Sequence, residues 1–406
     1  MANVSSSNGL EKRPTLSFRD DCGAEFPSWQ RTSLGTIIEP YSEKVHGEHD
    51  CEVLTSSREG LQRQIDHFGS QQRHDTDGYN IIPLGFCTYR NRSDDGRFTF
   101  NINKISDRAI VSKFYPVFRF KNANSTFMTE YLNSSARARK KLSVLAVGTS
   151  QVVLSFEALK SAKFDLPCKE EQDKIASLLE CLNERIDLQR SFVDALKKYK
   201  RGAVRCLLSA KSCPLRNARW TTAKMGELGS FVKGAPLSKA DISEDGTPFI
   251  LYGELYTTYN EVVTSVKRRT QAQVDETFLS RVGDVVIPTS GETPEEISTA
   301  SCVMLPDVIL AGDLNIFRGD KVDGRIMSYL LNHVVNGKIA RIAQGKSVVH
   351  IQASELCKLT LTYPDKNTQN TIIGFLSLLD DKIMNEENSL AFLSALKEGL
   401  LQQLFI

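Results

Sequence analysis

Two short motifs bring metal-ligating or phosphate-binding residue types close together along the chain. His46, His49 and Cys51 stand within six residues, and imidazole and thiolate are ligands that Zn²⁺ prefers. No second cluster completes a set of four ligands, so we expect no metal there. Residues 345–347 (GKS) resemble the end of a phosphate-binding loop, but Ala340 stands where that loop needs its first glycine. We expect no nucleotide site.

Catalytic motifs are also missing from the sequence. It contains no Gly-x-Ser-x-Gly elbow, no His-Glu-x-x-His pair and no methyltransferase-type Asn/Asp-Pro-Pro-aromatic tetrapeptide. Such motifs supply the nucleophile, the metal ligands or the target-base contacts of the corresponding enzymes. We therefore predict that this chain is not an enzyme by itself and has no catalytic residue.

The composition is typical of a folded cytoplasmic protein. The 406 residues are 41% hydrophobic and 25% charged, which fits two domains with connecting elements. The net charge of +2 does not by itself indicate a nucleic-acid partner. No apolar run approaches the ~20 residues that cross a bilayer. The nine cysteines form no Cys-x-x-Cys pair, which favours reduced thiols in the cytoplasm.

The elements that would position binding residues are built twice. Residues 148–207 align with residues 345–404 at a constant offset of 197. A weaker match, at an offset of 191, sets Trp29 beside Trp220. Between these anchors the two halves look unrelated. The pattern predicts a repeated frame that carries two different inserts.

The repeated segment contains a long amphipathic helix. Each helix follows a proline, Pro167 or Pro364, and runs for about 40 residues, or about 60 Å. Apolar residues recur at heptad spacing in both copies, with polar interruptions at the same places. The predicted seam of the helix pair is formed by Ile175, Leu179, Leu182, Ile186, Val193, Leu196 and Leu207, and by Ile372, Leu376, Leu379, Ile383, Leu390, Leu393 and Leu404.

Charge indicates how the two helices pair. Residues 197–224 hold nine Lys or Arg and no acid, whereas acids lie early in the second helix. An antiparallel pair brings Lys198 near Asp381, and a parallel pair does not. We therefore predict an antiparallel coiled coil. The alternative is that each helix packs only into its own domain.

The predicted fold class is α+β, with two mixed α/β domains, two long helices and an internal pseudo-two-fold repeat. Short segments rich in Val, Ile, Phe and Tyr indicate strands, and residues 125–145 and 325–342 indicate helices. The predicted boundaries are a mobile tail (1–25), a first domain (26–167), a central helix (168–209), a linker (210–219), a second domain (220–364) and a C-terminal helix (365–406).

Several segments resemble the specificity subunits of type I restriction–modification systems. In the first insert these are residues 79–83 (YNIIP) and 107–118 (DRAIVSKFYPVF); in the second, residues 249–255 (FILYGEL) and 283–287 (GDVVI). The helix openings at 167–172 (PCKEEQ) and 364–369 (PDKNTQ) and the ending at 397–405 (KEGLLQQLF) are also similar to that family. Their order and duplication make the resemblance specific.

The resemblance implies a subunit that recognises a bipartite, asymmetric target in double-stranded DNA through two target recognition domains. It implies two modification subunits, which bind S-adenosylmethionine and methylate adenine, and motor-nuclease restriction subunits, which use ATP and Mg²⁺. No cofactor is expected on this chain. Two alternatives stay open: a methylation-only system, and a coiled-coil scaffold that does not bind DNA.

Candidate DNA contacts are polar side chains that can pair with base edges or phosphates. In the first domain they are Arg63, Gln64, Gln71, Gln72, Arg73, His74, Arg90, Asn91 and Arg92. In the second domain they are Tyr256, Thr257, Tyr259, Arg268, Arg269, Thr289, Ser290 and Thr293. The basic run 137–141 and residues 197–205 are candidates for phosphate contacts or for a surface that faces a partner. An ordinary solvated surface is the alternative for each.

Overall fold

A computed structural model describes residues 14–69, 75–343 and 349–405. The chain divides into two compact units. Unit 1 comprises Met1–Arg190 and Asn388–Ile406, and unit 2 comprises Ser191–Glu387. Each unit therefore contains one insert together with part of each long helix.

Unit 1 combines short strands with helices. Its strands are β1 (Gln30–Ser33), β2 (Ile38–Tyr41), β3 (Glu52–Ser57), β4 (Gly60–Arg63), β5 (Asn80–Ile82), β6 (Cys87–Tyr89), β7 (Arg92–Ser93), β8 (Phe100–Ile102), β9 (Ala109–Val111), β10 (Val117–Phe120), β11 (Val152–Val153) and β12 (Lys163–Leu166). Its helices are α1 (Leu34–Ile37), α2 (Gln64–Phe68), α3 (Ser125–Ser134), α4 (Ala136–Leu145), α5 (Phe156–Ser161) and the first part of α6 (Lys169–Leu207).

The strands of unit 1 form two four-stranded sheets, β2-β10-β6-β8 and β4-β3-β9-β5, and two two-stranded pairs, β1-β12 and β11-β7. Aromatic side chains fill the main core, where Tyr89, Phe118 and Phe127 are completely buried. Ile175 of α6 lies in this core together with Leu404, near the other end of the chain.

Unit 2 is built from similar parts. Its strands are β13 (Trp220–Lys224), β14 (Ser230–Lys233), β15 (Thr247–Leu251), β16 (Val262–Val263), β17 (Arg268–Thr270), β18 (Asp284–Pro288), β19 (Ser290–Gly291), β20 (Ser301–Val303), β21 (Ile309–Ala311), β22 (Leu314–Arg318), β23 (Val349–His350) and β24 (Thr360–Pro364). Its helices are α7 (Met225–Leu228), α8 (Glu254–Thr257), α9 (Pro294–Ile297), α10 (Gly324–His333), α11 (Asn336–Ile342), α12 (Ala353–Leu356) and most of α13 (Lys366–Leu404).

The sheets of unit 2 differ from those of unit 1. They are a five-stranded sheet, β14-β22-β18-β20-β16, a three-stranded sheet, β17-β15-β21, and two pairs, β13-β24 and β19-β23. Pairing of β13 with β24 repeats that of β1 with β12, which places the strand before each long helix beside the strand that opens its unit. The two units therefore share the frame, but the sheets that lie between the parts of the frame differ.

A buried glutamine explains the sequence motif at each helix opening. Its amide donates to the carbonyl of the preceding proline and accepts from a backbone N–H at the start of a helix in the insert, over 2.8 to 2.9 Å. The partners are Pro167 and Asn124 for Gln172, and Pro364 and Asp323 for Gln369. Because α3 and α10 begin at these positions, the glutamine fixes each insert to its long helix.

The long helices confirm the predicted fold class. Each has 39 residues, and every predicted seam residue is buried or half-buried. Within unit 2, Lys197 pairs with Glu387 at 2.6 Å and Lys200 with Asp380 at 2.5 Å. Residue numbers rise along α6 as they fall along α13, so the helices run antiparallel. These ion pairs are made by neighbours of the predicted Lys198 and Asp381.

Two predicted helices are each broken once. The segment 125–145 forms α3 and α4 because Ser135 is extended, with a ψ of 123°. Its side chain accepts from the backbone N–H of Ala138 and thereby caps α4. Serine competes for backbone hydrogen bonds in this way, and apolar periodicity does not reveal it. The segment 325–342 is divided between α10 and α11, and Val335, the N-cap residue of α11, makes no side-chain cap hydrogen bond.

Part of the predicted tail packs against unit 1. Leu16 and Phe18 contact its apolar core, and the backbone N–H of Leu16 donates to the carbonyl of Gln403 at 3.1 Å. Asp21 pairs with Lys174 of α6 at 2.6 Å. Residues 14–25 thus contact both long helices within unit 1, whereas residues 1–13 lie outside the described residues.

Candidate nucleic-acid interface

A β-hairpin and a short helix position the first group of candidate residues in unit 1. The stretch 60–78 contains β4 and α2. Arg63 ends β4 and pairs with Glu52 at 2.5 Å. Gln64 begins α2 and lines a groove of about 530 Å³. Gln71, Gln72, Arg73 and His74 lie outside the described residues.

That groove combines aromatic and polar groups. Its lining includes Phe68, Tyr79, Tyr115 and Arg90. Burial raises the pKa of Tyr115, and its phenol can donate a hydrogen bond. Aromatic faces beside donors and a guanidinium are groups that contact bases and phosphates.

Arg90, Asn91 and Arg92 lie together where the chain passes from β6 into β7. Arg90 lines the first groove and, with Arg92, an adjoining smaller groove of about 80 Å³. Arg92 stacks over the exposed ring of Phe114 at 5.4 Å. The side-chain oxygen of Asn91 is buried with no hydrogen-bond partner among the described residues. The structure thus brings Arg90 and Arg92 of this predicted cluster to one concave surface, and Asn91 is not among the residues that line it.

Sequence reasoning missed two arginines of the same surface. Arg58 occupies the tip of the β3–β4 hairpin, and Arg97 precedes β8. Both line the smaller groove beside Arg90 and Arg92. The turn at Asp95 organises them, because its carboxylate accepts from the Arg58 side chain at 2.7 Å and from the Arg97 backbone N–H at 3.1 Å. Single arginines in separate loops carry no pattern that sequence could reveal.

The unit 2 candidates include a group around α8. Glu254 is buried and accepts from Arg268 Nε at 2.9 Å, so this arginine supports the local fold. The hydroxyl of Tyr259 accepts from the Lys267 backbone N–H at 3.2 Å. Arg269 donates to the Gly246 carbonyl at 2.8 Å and Thr257 to that of Gly253 at 2.9 Å.

The other unit 2 candidates surround α9. Thr293 is the N-cap residue of this helix, Ser290 donates to Asp313 at 2.8 Å, and Thr289 precedes β19. Burial, and after it the nearby Tyr252, Glu296 and Glu292, raise the pKa of Tyr256. Many of these side chains therefore hold the local structure, and their contact with DNA remains a prediction.

The motif of His46, His49 and Cys51 does not form a cluster of metal ligands. His46 lies 3.2 Å from Asp77 and His49 lies 2.8 Å from Thr76. Over the described ranges, no three His, Cys, Asp or Glu side chains converge as metal ligands would. Residues 345–347 fall outside those ranges. No helix in the described part of the chain is long and apolar enough to cross a membrane.

Comparison with known proteins decides which family this surface resembles. Residues 54–198 match the family described as type I restriction modification DNA specificity domain. The match begins within β3 and includes the hairpin, both grooves and much of α6. It confirms the resemblance that the sequence motifs indicated.

Solved structures extend the likeness in fold over nearly the whole chain. The S subunit of a type I restriction–modification system from M. genitalium has 14% identity and a TM-score of 0.59, with 97% of this chain and 99% of that chain covered. A structure described in terms of complex assembly and conformational transition of the type I R-M system has 16% identity and a TM-score of 0.55, covering 94% and 98%. No curated protein sequence matches.

Proposed function

We propose that this chain is the DNA specificity subunit of a type I restriction–modification complex and that it recognises a bipartite, asymmetric target. The internal repeat carries the proposal. Two similar frames, each fixed to its insert by a buried glutamine, hold inserts with different sheets. Different inserts suit different half-sites, and the similarity of residues 54–198 to a DNA specificity domain supports a DNA-reading role for the first insert.

The long helices act as a spacer in this proposal. A module of this size reads only a few base pairs in one groove. Two modules that face the same side of a duplex need centres about 34 Å apart, one helical turn. A helix of 39 residues extends over about 58 Å at 1.5 Å per residue, so the pair is long enough to set that distance.

Lengthening the helix pair tests the spacer role. Four residues inserted after Arg190 and four after Glu387 add about 6 Å to each helix, where the chain passes between the units. The unread gap of the target should lengthen by one or two base pairs. An unchanged gap in the methylation map of a folded variant would reject the spacer role.

Catalysis belongs to partner subunits in this proposal. Two modification subunits supply S-adenosylmethionine-dependent adenine methylation, and restriction subunits supply the ATP- and Mg²⁺-dependent motor and nuclease. A duplicated frame offers two similar surfaces to two identical partners. The exposed side chains of Leu188, Phe192 and Phe375 on the helices are candidates for that contact, whereas Leu178 is half-buried against the unit 1 core.

The direct test is to purify the chain with the modification subunit encoded beside it and to map methylated adenines on genomic DNA. We expect two short sequence blocks separated by a gap of fixed length without sequence preference. One uninterrupted block would reject the bipartite target. A chain that binds the modification subunit but no DNA would favour the scaffold alternative.

A further inference from the structure

Three adjoining grooves of unit 1 form one continuous basic surface. Arg58 lines all three. Arg90 lines the first two, and Arg97 lines the smaller groove and a third one of about 420 Å³. Arg139 of α4 also lines this third groove. We define the arginine track as Arg58, Arg90, Arg92, Arg97 and Arg139.

Local structure holds part of the track in place. Ala138 and Leu142 of α4 are buried in the unit 1 core, which fixes the helix that carries Arg139. Ser93 donates to Asp95 at 2.9 Å, so the turn that positions Arg58 and Arg97 is itself restrained. Arg58 and Arg97 are thus held by a hydrogen-bonded turn, and Arg139 is held by a helix that packs on the core.

The acidic residues along the track leave a net positive charge. Glu59, Asp94 and Glu130 line the grooves, and Asp95 pairs with Arg58 at 2.7 Å. These four acids face the five arginines of the track and Lys397, which pairs with Glu130 at 3.1 Å. Among the described residues, neither Arg97 nor Arg139 has a side-chain hydrogen-bond or ion-pair partner. Guanidinium groups without a carboxylate partner are available to an external anion, and their planar shape suits phosphate.

We propose that Arg97 and Arg139 bind backbone phosphates of the DNA that flanks the half-site read by unit 1, beside Arg58, whose guanidinium also pairs with Asp95. The inference rests on the proposed function. It adds a ligand, the phosphate backbone of DNA, for a surface outside the residues predicted to read bases. DNA carries regularly spaced phosphates along each strand, and the three grooves share arginines in their linings. Arg90 and Arg92 then lie at the end of the track that faces the bases.

Salt dependence separates phosphate contacts from base contacts. The logarithm of DNA affinity falls linearly with the logarithm of salt concentration, with a slope of about −0.9 per phosphate neutralised. Fluorescence anisotropy with a random-sequence 40-base-pair duplex should therefore give slopes that are smaller by about 0.9 for Arg97→Ala and for Arg139→Ala. The double variant should lose about 1.8. The methylated sequence should not change, because phosphates carry no base identity.

Arg108→Ala is the matched control. It removes one exposed guanidinium from the same unit, but Arg108 pairs with Asp50 at 2.6 Å beside the start of β3, whereas Arg58 follows the end of that strand. Its slope should equal that of the unchanged chain. All proteins are measured as the complex with the modification subunit, after thermal unfolding shows that each folds.

The outcomes separate this inference from the proposed function. If the unchanged complex binds no duplex, the proposed function fails. If it binds with its expected salt slope and both folded variants keep that slope, the phosphate track is rejected and the proposed function stands. A variant that alters the methylated sequence would also reject the track, because its arginine would then read bases.

Discussion

In each unit a lysine of a long helix pairs with carboxylates, but the two units place these carboxylates on different elements. Lys200 and Lys397 occupy equivalent positions of the repeat, as do Asp380 and Asn183. In unit 2, Lys200 pairs with Glu261 at 2.7 Å and Asp380 at 2.5 Å, and its side chain is 10% exposed. We call this group and its hydrogen-bonded neighbours the unit 2 joint.

The unit 2 joint includes groups from the insert. Tyr329 of α10 donates to Asp380 at 2.8 Å, and His333 lies 2.5 Å from Glu261. The joint therefore connects both long helices with α10 and with the residue before β16. A lysine buried in a helix seam is costly unless it is paired, and here its carboxylate partners come from a long helix and from the insert.

The equivalent group in unit 1, which we call the unit 1 joint, is smaller and consists of Lys397, Glu130 and Asn183. Lys397 pairs with Glu130 of α3 at 3.1 Å, and Asn183 donates to the same carboxylate at 3.2 Å. Glu130 and Tyr329 are each the sixth residue after the N-cap of their helices. Both units have the lysine. The acid lies on the insert helix in unit 1 and on the long helix in unit 2. A matched seam lysine thus fixes each insert through different partners.

The largest expected effect is the removal of the buried lysine. Lys200→Met leaves two carboxylates without their cation and should lower the free energy of unfolding of unit 2 by about 3 to 5 kcal/mol. Lys397→Met is the matched change in unit 1, where the side chain is 24% exposed, and should cost on the order of 1 kcal/mol. Equal losses would contradict the difference between the joints.

Tryptophan fluorescence can follow each unit separately. Trp29 and Trp220 are the two tryptophans of the chain, and one lies in each unit. Trp29→Phe therefore leaves a reporter of unit 2, and Trp220→Phe a reporter of unit 1. Urea unfolding in these backgrounds assigns each loss of stability to its unit.

Acid should weaken unit 2 through Glu261. Burial raises the pKa of this carboxyl, but the hydrogen bond from His333 and the charge of Lys200 outweigh burial and lower it to about 2, from 4.5. A depressed pKa stabilises the folded state above pH 4.5, and this contribution disappears as the pH falls toward 2. The loss should reach about 3 kcal/mol.

Glu261→Gln removes the group that titrates and should flatten that part of the pH profile. Urea unfolding followed through Trp220 between pH 5 and pH 2 measures the change. A profile that stays equally steep in the variant would assign the acid sensitivity to other carboxyls.

A smaller effect is expected when the joints are made alike. Asp380→Asn gives unit 2 the amide that unit 1 has at this position, while Glu261 still neutralises Lys200, so the cost should be about 1 kcal/mol. The reciprocal Asn183→Asp should not stabilise unit 1, because its carboxylate would lie beside Glu130. Stabilisation of unit 1 would show that its lysine lacks a sufficient counter-charge.

The sequence predicted the features that depend on repetition and periodicity. The two long helices, their direction and the α+β class follow from heptad spacing, charge and the offset of 197. From the sequence, Gln172 and Gln369 could be recognised only as identical residues of the two helix openings. Their hydrogen bonds could not be predicted, because their partners at Asn124 and Asp323 lie far away in sequence. Arg58 and Arg97 could not be predicted either, because turns at separate places in the sequence bring them beside Arg90.

The central claim is that two unlike modules read separate parts of one target. Arg90→Ala combined with Arg92→Ala alters the predicted base-reading cluster of unit 1 and leaves unit 2 unchanged. We expect the methylation map of the complex to show relaxed sequence preference in one half-site only, with the other half-site and the gap retained. Relaxation of both half-sites, or an unaltered map from a folded double variant, would contradict the claim.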